Sequence, residues 1–396
     1  MNCTGSKSTD YMDFTEPDHV RQLRDSLERF VEREMPRCAA VQWDKDNYFP
    51  RDVFAKLATL GVFGLTVPEE YGGAGRDILA TMVVIEELSR RSLAVSVPYV
   101  MGACYAGMNL AECATVAQRK ALLPRVVNGS LLFAYGWTEP DTGADLASVK
   151  TRAVRHGDTI RVNGAKRFCS GAAISDYIYT LARTSDNARY KNLSLIMVPP
   201  TTKGVTITPI DCLGLKGAAT ADVTFDDVEV SLDNIMGGEE GWNKGWSMIV
   251  GFGLDVEKLE VAALAVGIAR AAVDDAWDYA CKRLQFGQPI STFQSIQHKL
   301  AEMKTQLHAA RLVLYHAAWL ANTQQRCGVE TSMAKLFTTE VAKTVTLECQ
   351  TIFGAYGYTK GIDTERYVRD ALLLPIIGGS SAVQRNNVFK WSSARA

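Results

Sequence analysis

The sequence predicts an α+β chain in which a β module sits between two helical regions. Three observations predict it. Apolar residues recur at steps of three and four as far as Gly129, the period changes to two between Leu131 and Asn234, and the helical period returns from Gly241 onward. The expected domains are therefore residues 1–130, 131–240 and 241–396.

In the first region, Val20, Leu23, Leu27, Phe30 and Val31 share one helical face. Asp52 to Leu60 repeats the pattern, and Gly61 is placed to stop it. Pro68 to Gly75 is a turn cluster. A further apolar helix is expected over Asp77 to Arg90, and another over Gln118 to Val127. In the second region, short strands are expected at Val149–Arg155, Thr159–Val162, Tyr177–Ala182, Leu193–Val198, Val205–Ile210 and Ala221–Val230. Turns are expected at His156-Gly157-Asp158 and at Asn163-Gly164, the latter a two-residue hairpin signal because both positions tolerate positive φ. In the third region, Leu300, Met303, Leu307 and Leu314 mark one seam and Val341, Val345 and Cys349 another. Four long amphipathic segments joined by short loops would pack as a bundle.

Composition removes several functional classes. A hydrophobic fraction of 47% excludes wholesale disorder. A net charge of -1 argues against nucleic acid as a partner. No run reaches eighteen uninterrupted apolar residues; Val261 to Ala269 stops at Arg270, so no membrane span is expected. Met1 to Asp10 is polar and lacks the apolar stretch of a secretory signal. The nine cysteines, from Cys3 to Cys349, are scattered and never spaced as C-x-x-C. Buried thiols in a reducing cytoplasm are expected rather than disulfides or a metal site. The five histidines are dispersed, and no Rossmann glycine signature, P-loop, H-E-x-x-H or G-x-S-x-G occurs.

Five ordered segments carry a resemblance that periodicity does not. Tyr135 to Asp145 (YGWTEPDTGAD) resembles the flavin-contacting T-E-P-x-x-G-S-D signature of the acyl-CoA dehydrogenase family. Val67 to Gly75 (VPEEYGGAG) is similar to that family's N-terminal turn, and Asn163 to Gly171 (NGAKRFCSG) to its N-G-x-K-x-W-I-T-N segment. Arg283 to Gln297 (RLQFGQPISTFQSIQ) resembles its R-x-x-F-G-x-x-I-x-x-x-Q motif. Gln350 to Tyr358, with Arg369-Asp370 after it, resembles its C-terminal glycine motif. The match runs over essentially the whole chain. It implies a helical domain, a β-barrel and a C-terminal four-helix bundle.

The resemblance also implies FAD and a reaction. A glutamate removes the α-proton of an acyl thioester while the β-hydride passes to flavin N5. Tyr135, Thr138, Phe168 and Ser170 are then expected to line the isoalloxazine, with Phe168 where most relatives have Trp. Arg283 is expected to meet the pyrophosphate and Phe286 the adenine, with Gln294, Gln350, Gly354 and Ser380 completing the dinucleotide site. In relatives that site is shared between subunits, so a homotetramer or homodimer is implied. An electron-transfer flavoprotein is the implied redox partner.

The chain departs from the family where the base should be. Ile376 to Gln384 reads IIGGSSAVQ against I-x-E-G-T-S-E-x-Q, so Gly378 stands in the place of the glutamate. The segment Leu254-Asp255-Val256-Glu257-Lys258-Leu259 resembles the L-D-x-E-R-L pattern of the isovaleryl-CoA and crotonobetainyl-CoA subgroups. Glu257 is therefore the expected base, ahead of Glu260; a solvated Glu257–Lys258–Glu260 face is the plainer alternative. Ala144 replaces the serine of G-S-D and Lys258 the usual arginine. Together with Asp255 and Gly379 they are expected along the thioester arm, which belongs to acyl-CoA or to an acyl-carrier protein. Tyr99 and Met101 are expected either to wall and shorten the acyl pocket or simply to pack in the core. The rival functions are a flavin oxidase or monooxygenase of the same fold, a DNA-associated non-catalytic relative, and a desulfinating relative; a retained Glu257 favours the dehydrogenase or its reverse.

Overall fold

A computed structural model describes residues 15–250, 252–323 and 327–393, apart from the side chain of Phe252. Cys3 and the polar stretch Met1–Asp10 lie outside the described residues.

The N-terminal part is built from α1 (Asp18–Glu34), α2 (Arg37–Asp46), α3 (Arg51–Ala58), α4 (Ile78–Ser89), α5 (Leu93–Tyr99), a π-helix (Val100–Met108), α6 (Asn109–Cys113) and α7 (Val116–Val127). α1 is amphipathic and buries Val20, Leu27, Phe30 and Val31. α4 is buried on every side, and Asp77 caps it by accepting from the Ala80 amide. Its two core carboxylates, Glu86 and Glu87, are held by Arg24 and Arg270. Leu93–Cys113 forms one apolar run of 21 residues, long and apolar enough by length and composition to cross a bilayer. Most of its apolar window, 89%, is buried inside the protein, which marks it as a core element here. Its middle turns widen to π geometry, a feature found mostly at functional sites.

The middle part is a seven-stranded sheet of β1 (Phe133–Gly136), β2 (Arg152–His156), β3 (Thr159–Ser170), β4 (Tyr177–Arg183), β5 (Leu193–Val198), β6 (Val205–Pro209) and β7 (Thr220–Ser231). The order is β1-β4-β2-β3-β7-β6, with β5 also paired to β4. β2 and β3 form a hairpin across Gly157-Asp158, closed by His156 opposite Thr159. The turn expected at Asn163-Gly164 is absent, and β3 runs straight through it. Two facts explain this. The Asn163 side chain is tied to Asp227 on β7 by two hydrogen bonds, of 3.0 and 2.9 Å. Gly164, at φ +145°, lies so close to Thr151 that a Cβ would sit 2.6 Å from its hydroxyl. A long partner strand thus converts a turn signal into a bulge, seen as a register shift between Val162 and Gly164.

The C-terminal part holds α8 (Gly245–Ile249), α9 (Phe252–Lys282), the hairpin β8 (Leu284–Gln285) and β9 (Gln288–Pro289), α10 (Gln294–Asn322), α11 (Gly328–Phe353), α12 (Asp363–Leu373) and α13 (Ser381–Ser393). Three of these are long. The fourth expected segment is divided into α12 and α13, because Pro375, Gly378 and Gly379 interrupt it. α9 packs on α4 and approaches it closely at one glycine. A Cβ on Gly267 would lie 2.0 Å from the Ser89 hydroxyl. That crossing brings the start of α9 beside the π-helix and under the α12–α13 connection.

Candidate active site

Glu257 is partly accessible on the first turns of α9. Burial pushes its carboxyl up to about 7, against the pull of the Lys258 and Lys335 ammonium groups. Gly378 faces it across the interface. A Cβ built on Gly378 would lie 4.0 Å from Glu257 Oε1 and 3.1 Å from Val261 Cγ2. The connection carrying Gly378 is fixed by buried donors. Lys335 Nζ on α11 donates to the Gly379 carbonyl at 2.8 Å. Gln384 Nε2 donates to the carbonyls of Gly378 and Gly379, at 3.1 and 2.8 Å. Both glycines hold positive φ, +59° and +75°, where an L side chain is strained. Lys335 is fully buried and its ammonium is drawn down to about 8, with Glu257 partly offsetting that loss.

Glu260 lies one turn further along α9 and is 4% exposed. Burial holds its carboxyl well above the usual range, and the nearby Glu257 adds to the effect. Lys258 is likewise buried. Its Nζ donates to Asp255 Oδ1 at 2.8 Å and sits 4.7 Å from the Trp391 ring, while Thr331 Oγ1 donates to the same Asp255 oxygen at 3.1 Å. The solvated Glu257–Lys258–Glu260 face weighed from the sequence is thus excluded.

Above α9, Tyr135 of β1 stacks between two rings. Its centroid is 3.6 Å from Tyr105 of the π-helix and 4.0 Å from Trp137. Asn109 Nδ2 donates to the Tyr135 hydroxyl at 2.7 Å. Trp137 Nε1 is buried with no hydrogen-bond partner among the described residues. Tyr99 and Met101 are both fully buried nearby.

Thr138, Phe168 and Ser170 fall on one patch. The Arg167 amide donates to the Thr138 carbonyl at 2.8 Å. A second bulge in β3, between Lys166 and Cys169, turns Phe168 to φ +59° and leaves its ring 55% exposed. Ser170 Oγ and Thr220 Oγ1 share a hydrogen bond of 2.9 Å. The loop that follows Thr138 is closed by Glu139 rather than by a simple corner. The Glu139 carboxylate accepts from the amides of Lys150 and Thr151, at 2.6 and 2.8 Å, and from Lys166 Nζ at 2.9 Å. Ala144 is exposed at the end of this loop. Beside it Asp145 pairs with Arg189 and Ser148.

A separate group surrounds the β8–β9 hairpin. Phe286 stands at its tip, 92% exposed, and meets Phe293 edge-on at 6.0 Å. Arg283 lies 5.5 Å from the Tyr356 ring and pairs with no carboxylate among the described residues. Gln294 is exposed on the first turn of α10. Gln350 Nε2 donates to the Gly357 carbonyl at 3.1 Å, and Gly354 turns at φ +61° into open space. Ser380 instead caps α13, its Oγ 3.4 Å from the Val383 amide. No hydrogen bond or ring contact joins the hairpin group to the Phe168 patch among the described residues. A guanidinium with no carboxylate partner among the described residues, exposed flat rings at Phe168 and Phe286, and an open glycine turn fit a flavin dinucleotide.

Sequence reasoning missed Lys335, the Glu139–Lys166 clamp and the Tyr105–Tyr135–Trp137 column. Lys335 had a signal: it occupies a core position of the α11 seam that runs Thr331, Lys335, Thr338, Ala342, Val345, Cys349. A charge in such a seam has to meet an acceptor.

Comparison with known proteins decides the family. Three models match in order: the acyl-CoA dehydrogenase N-terminal domain over residues 17–130, the middle domain over 134–228 and the C-terminal domain over 243–392. The chain belongs to the acyl-CoA dehydrogenase family. FAD is the cofactor that membership assigns, and acyl-CoA dehydrogenation is the reaction class. The chain is 35% identical over 377 residues to a probable acyl-CoA dehydrogenase, YngJ, of Bacillus subtilis, covering 94% of this chain and 98% of that one. It is 33% identical over 366 residues to the caffeyl-CoA reductase-Etf complex subunit CarC of Acetobacterium woodii, covering 92% and 96%. Among solved structures, butyryl-CoA dehydrogenase from Megasphaera elsdenii superposes with a TM-score of 0.91 at 31% identity, covering 96% of this chain and all of that one.

Proposed function

We propose that Glu257 is the base of an FAD-dependent acyl-thioester dehydrogenase that turns an acyl thioester into its 2-enoyl thioester, or runs the same step in reverse. One observation carries the reading: the Glu257 carboxylate occupies the space that a side chain on Gly378 would enter, 4.0 Å from its Cβ position. The base has changed elements without changing place.

FAD, when bound, supplies the acceptor for the β-hydride. The rest is work for this chain's side chains. Glu257 takes the α-proton onto a carboxylate oxygen. Held at about 7, it is ionised to a useful extent near neutral pH and is a stronger base than an exposed carboxylate. Lys258 and Lys335 sustain its ionised form. The Tyr105–Tyr135–Trp137 column packs the chamber with rings and keeps water from the reacting carbon. Thr138, Phe168 and Ser170 receive the ring system. Arg283 would meet the pyrophosphate as a fork, Phe286 would cover the adenine, and Gln294, Gln350 and Gly354 would line the remainder. Ala144, Asp255, Lys258 and Gly379 border the thioester arm, which CoA or a carrier protein bears.

The separation of the hairpin group from the Phe168 patch supports a dinucleotide site completed by a second copy, in a homodimer or homotetramer. An electron-transfer flavoprotein is the proposed redox partner, supported by the likeness to an Etf-complex subunit. The eight free thiols of the described residues support a reducing, cytoplasmic setting.

Anaerobic mixing of the flavin-loaded protein with a panel of acyl-CoA and acyl-carrier-protein thioesters tests the reading. Loss of the oxidised flavin absorbance is expected. A panel that leaves the spectrum unchanged, and matching enoyl thioesters that fail to reoxidise the reduced protein, overturn it.

A further inference from the structure

α9 carries a second carboxyl that proton abstraction does not use. Glu260 follows Glu257 at i+3, so the two side chains lie on one helical face. Burial deepens along the helix in that direction. Gly253 to Asp255 are partly exposed, whereas Lys258 to Ala269 are all buried. Glu260 therefore stands about 4.5 Å further in than Glu257, at 1.5 Å of rise per residue. Burial raises the Tyr105 and Tyr135 hydroxyls and the charges of both carboxyls add to it, so the two tyrosines lie near the pair.

The surroundings of Glu260 offer it almost nothing. It makes no ion pair among the described residues, and its Oε2 is buried with no hydrogen-bond partner. The Cys104 thiol, itself buried, stands close enough to feel its charge. Cys104 reaches it from the π-helix that also supplies Tyr105. The rest of its neighbourhood on α9 is Val256, Leu259, Val261 and Ala263, all buried and apolar. A leucine would fill such a position without an orphaned oxygen, so packing does not explain the acid.

We infer that Glu260, with Cys104, forms a polar subsite in the inner part of the acyl chamber that hydrogen-bonds a neutral hydroxyl or carbonyl group carried by the substrate's acyl chain. The inference rests on the proposed reaction and sharpens its substrate class. With the α-carbon at Glu257, the offset along α9 corresponds to about three bonds, so the oxygen belongs on the γ- or δ-carbon. The group is neutral because the chamber pairs with neither charge. An acyl carboxylate would face two acids, and an acyl ammonium would ionise Glu260 beside Glu257. Kept in its acid form, Glu260 can both donate to and accept from a hydroxyl, and can donate to a carbonyl.

The test compares butyryl-CoA, 4-hydroxybutyryl-CoA, 4-oxopentanoyl-CoA and 4-aminobutyryl-CoA as anaerobic reductants of the wild type, Glu260→Gln, Glu260→Leu and Cys104→Ala. Binding of the corresponding enoyl thioesters is measured alongside by calorimetry. The wild type is expected to favour the oxygenated thioesters over butyryl-CoA. Glu260→Leu should lose about 10- to 100-fold in kcat/KM on the oxygenated pair, mostly through KM, while butyryl-CoA is unchanged or improved. The near-isosteric Glu260→Gln should keep most of the preference. Cys104→Ala checks the same subsite from its other side, should Glu260→Leu fold poorly. A wild type that prefers butyryl-CoA, or a Glu260→Leu enzyme with an unaltered ratio, overturns the subsite and leaves the dehydrogenase reading standing. A preference for the amino thioester overturns neutrality in favour of ion pairing. No reduction by any thioester overturns the reaction itself and the subsite with it.

Discussion

Replacing Glu257 with glutamine keeps the shape of the side chain and removes the proposed proton acceptor. The structure sets two magnitudes. A positioned general base contributes about 10²- to 10⁴-fold, so flavin reduction by a good thioester should slow by at least that much in Glu257→Gln. Burial that lifts the carboxyl from 4.5 to about 7 disfavours its ionised form by ~3 kcal/mol relative to water. The sign follows directly. The base works only when ionised, so the rate of anaerobic flavin reduction should rise with pH through about 7 and level off above it. A solvent-exposed glutamate would instead give a flat profile across that range. The geometry adds a transplant. In Glu257→Gly/Gly378→Glu the new side chain starts 4.0 Å from the vacated oxygen. It must accept φ +59° at ~1–2 kcal/mol and press against Val261. Partial recovery over Glu257→Gly alone is expected, read by stopped-flow absorbance with retained flavin as the control for folding. Glu257→Gln that reduces flavin at the wild-type rate refutes the assignment, and a failed transplant beside a dead single variant limits it to α9.

Three further outcomes follow from neighbouring groups. Lys335→Met removes a cation that lowers the Glu257 pKa, so the midpoint of the pH–rate curve should move above about 7 and activity at neutral pH should fall, recovering in more alkaline buffer. Glu139→Gln strands the buried Lys166 ammonium and should cost ~3–5 kcal/mol of stability, seen as a lower melting temperature of the flavin-loaded protein. Arg283→Met should leave the secondary structure intact but loosen FAD, measured as flavin released on desalting; full retention would remove Arg283 from the dinucleotide site.

The helical, β, helical layout was legible because burial imposes period on sequence. α1 buries the face marked by Val20, Leu27, Phe30 and Val31, and β5 spans Leu193–Val198, the limits its apolar run defined. What failed were local signals with a distant competitor. Asn163-Gly164 is a hairpin turn in isolation, but β7 offers Asp227 to the asparagine and a long ladder to either side, and the strand continues. The π-helix was invisible for a related reason. It packs against α9 and β1, which are distant in sequence, so its neighbours are known only from the fold. In the site, the motifs pick out the residues expected to meet a ligand, whereas Lys335 and the Glu139–Lys166 pair lie where their partners are known only from the fold.

The proposed assignment of Glu257 also accounts for how a catalytic group can move between elements. Three surfaces meet at one point: the first turns of α9, the Gly378-Gly379 connection and the π-helix. The first two can send a side chain to the same few ångströms of space, since a Cβ on Gly378 would lie 4.0 Å from Glu257 Oε1. With a carboxylate from α9 already there, a second side chain at residue 378 would crowd Val261 and put like charge beside Glu257. Glycine is then the residue that fits, and its positive φ lets the backbone turn close to the helix. Lys335 completes the arrangement. By binding the Gly379 carbonyl while lowering the pKa of Glu257, one buried ammonium both anchors the empty position and tunes the occupied one. On the proposed assignment Gly378 and Glu257 belong together, the glycine leaving open the space into which the carboxylate reaches.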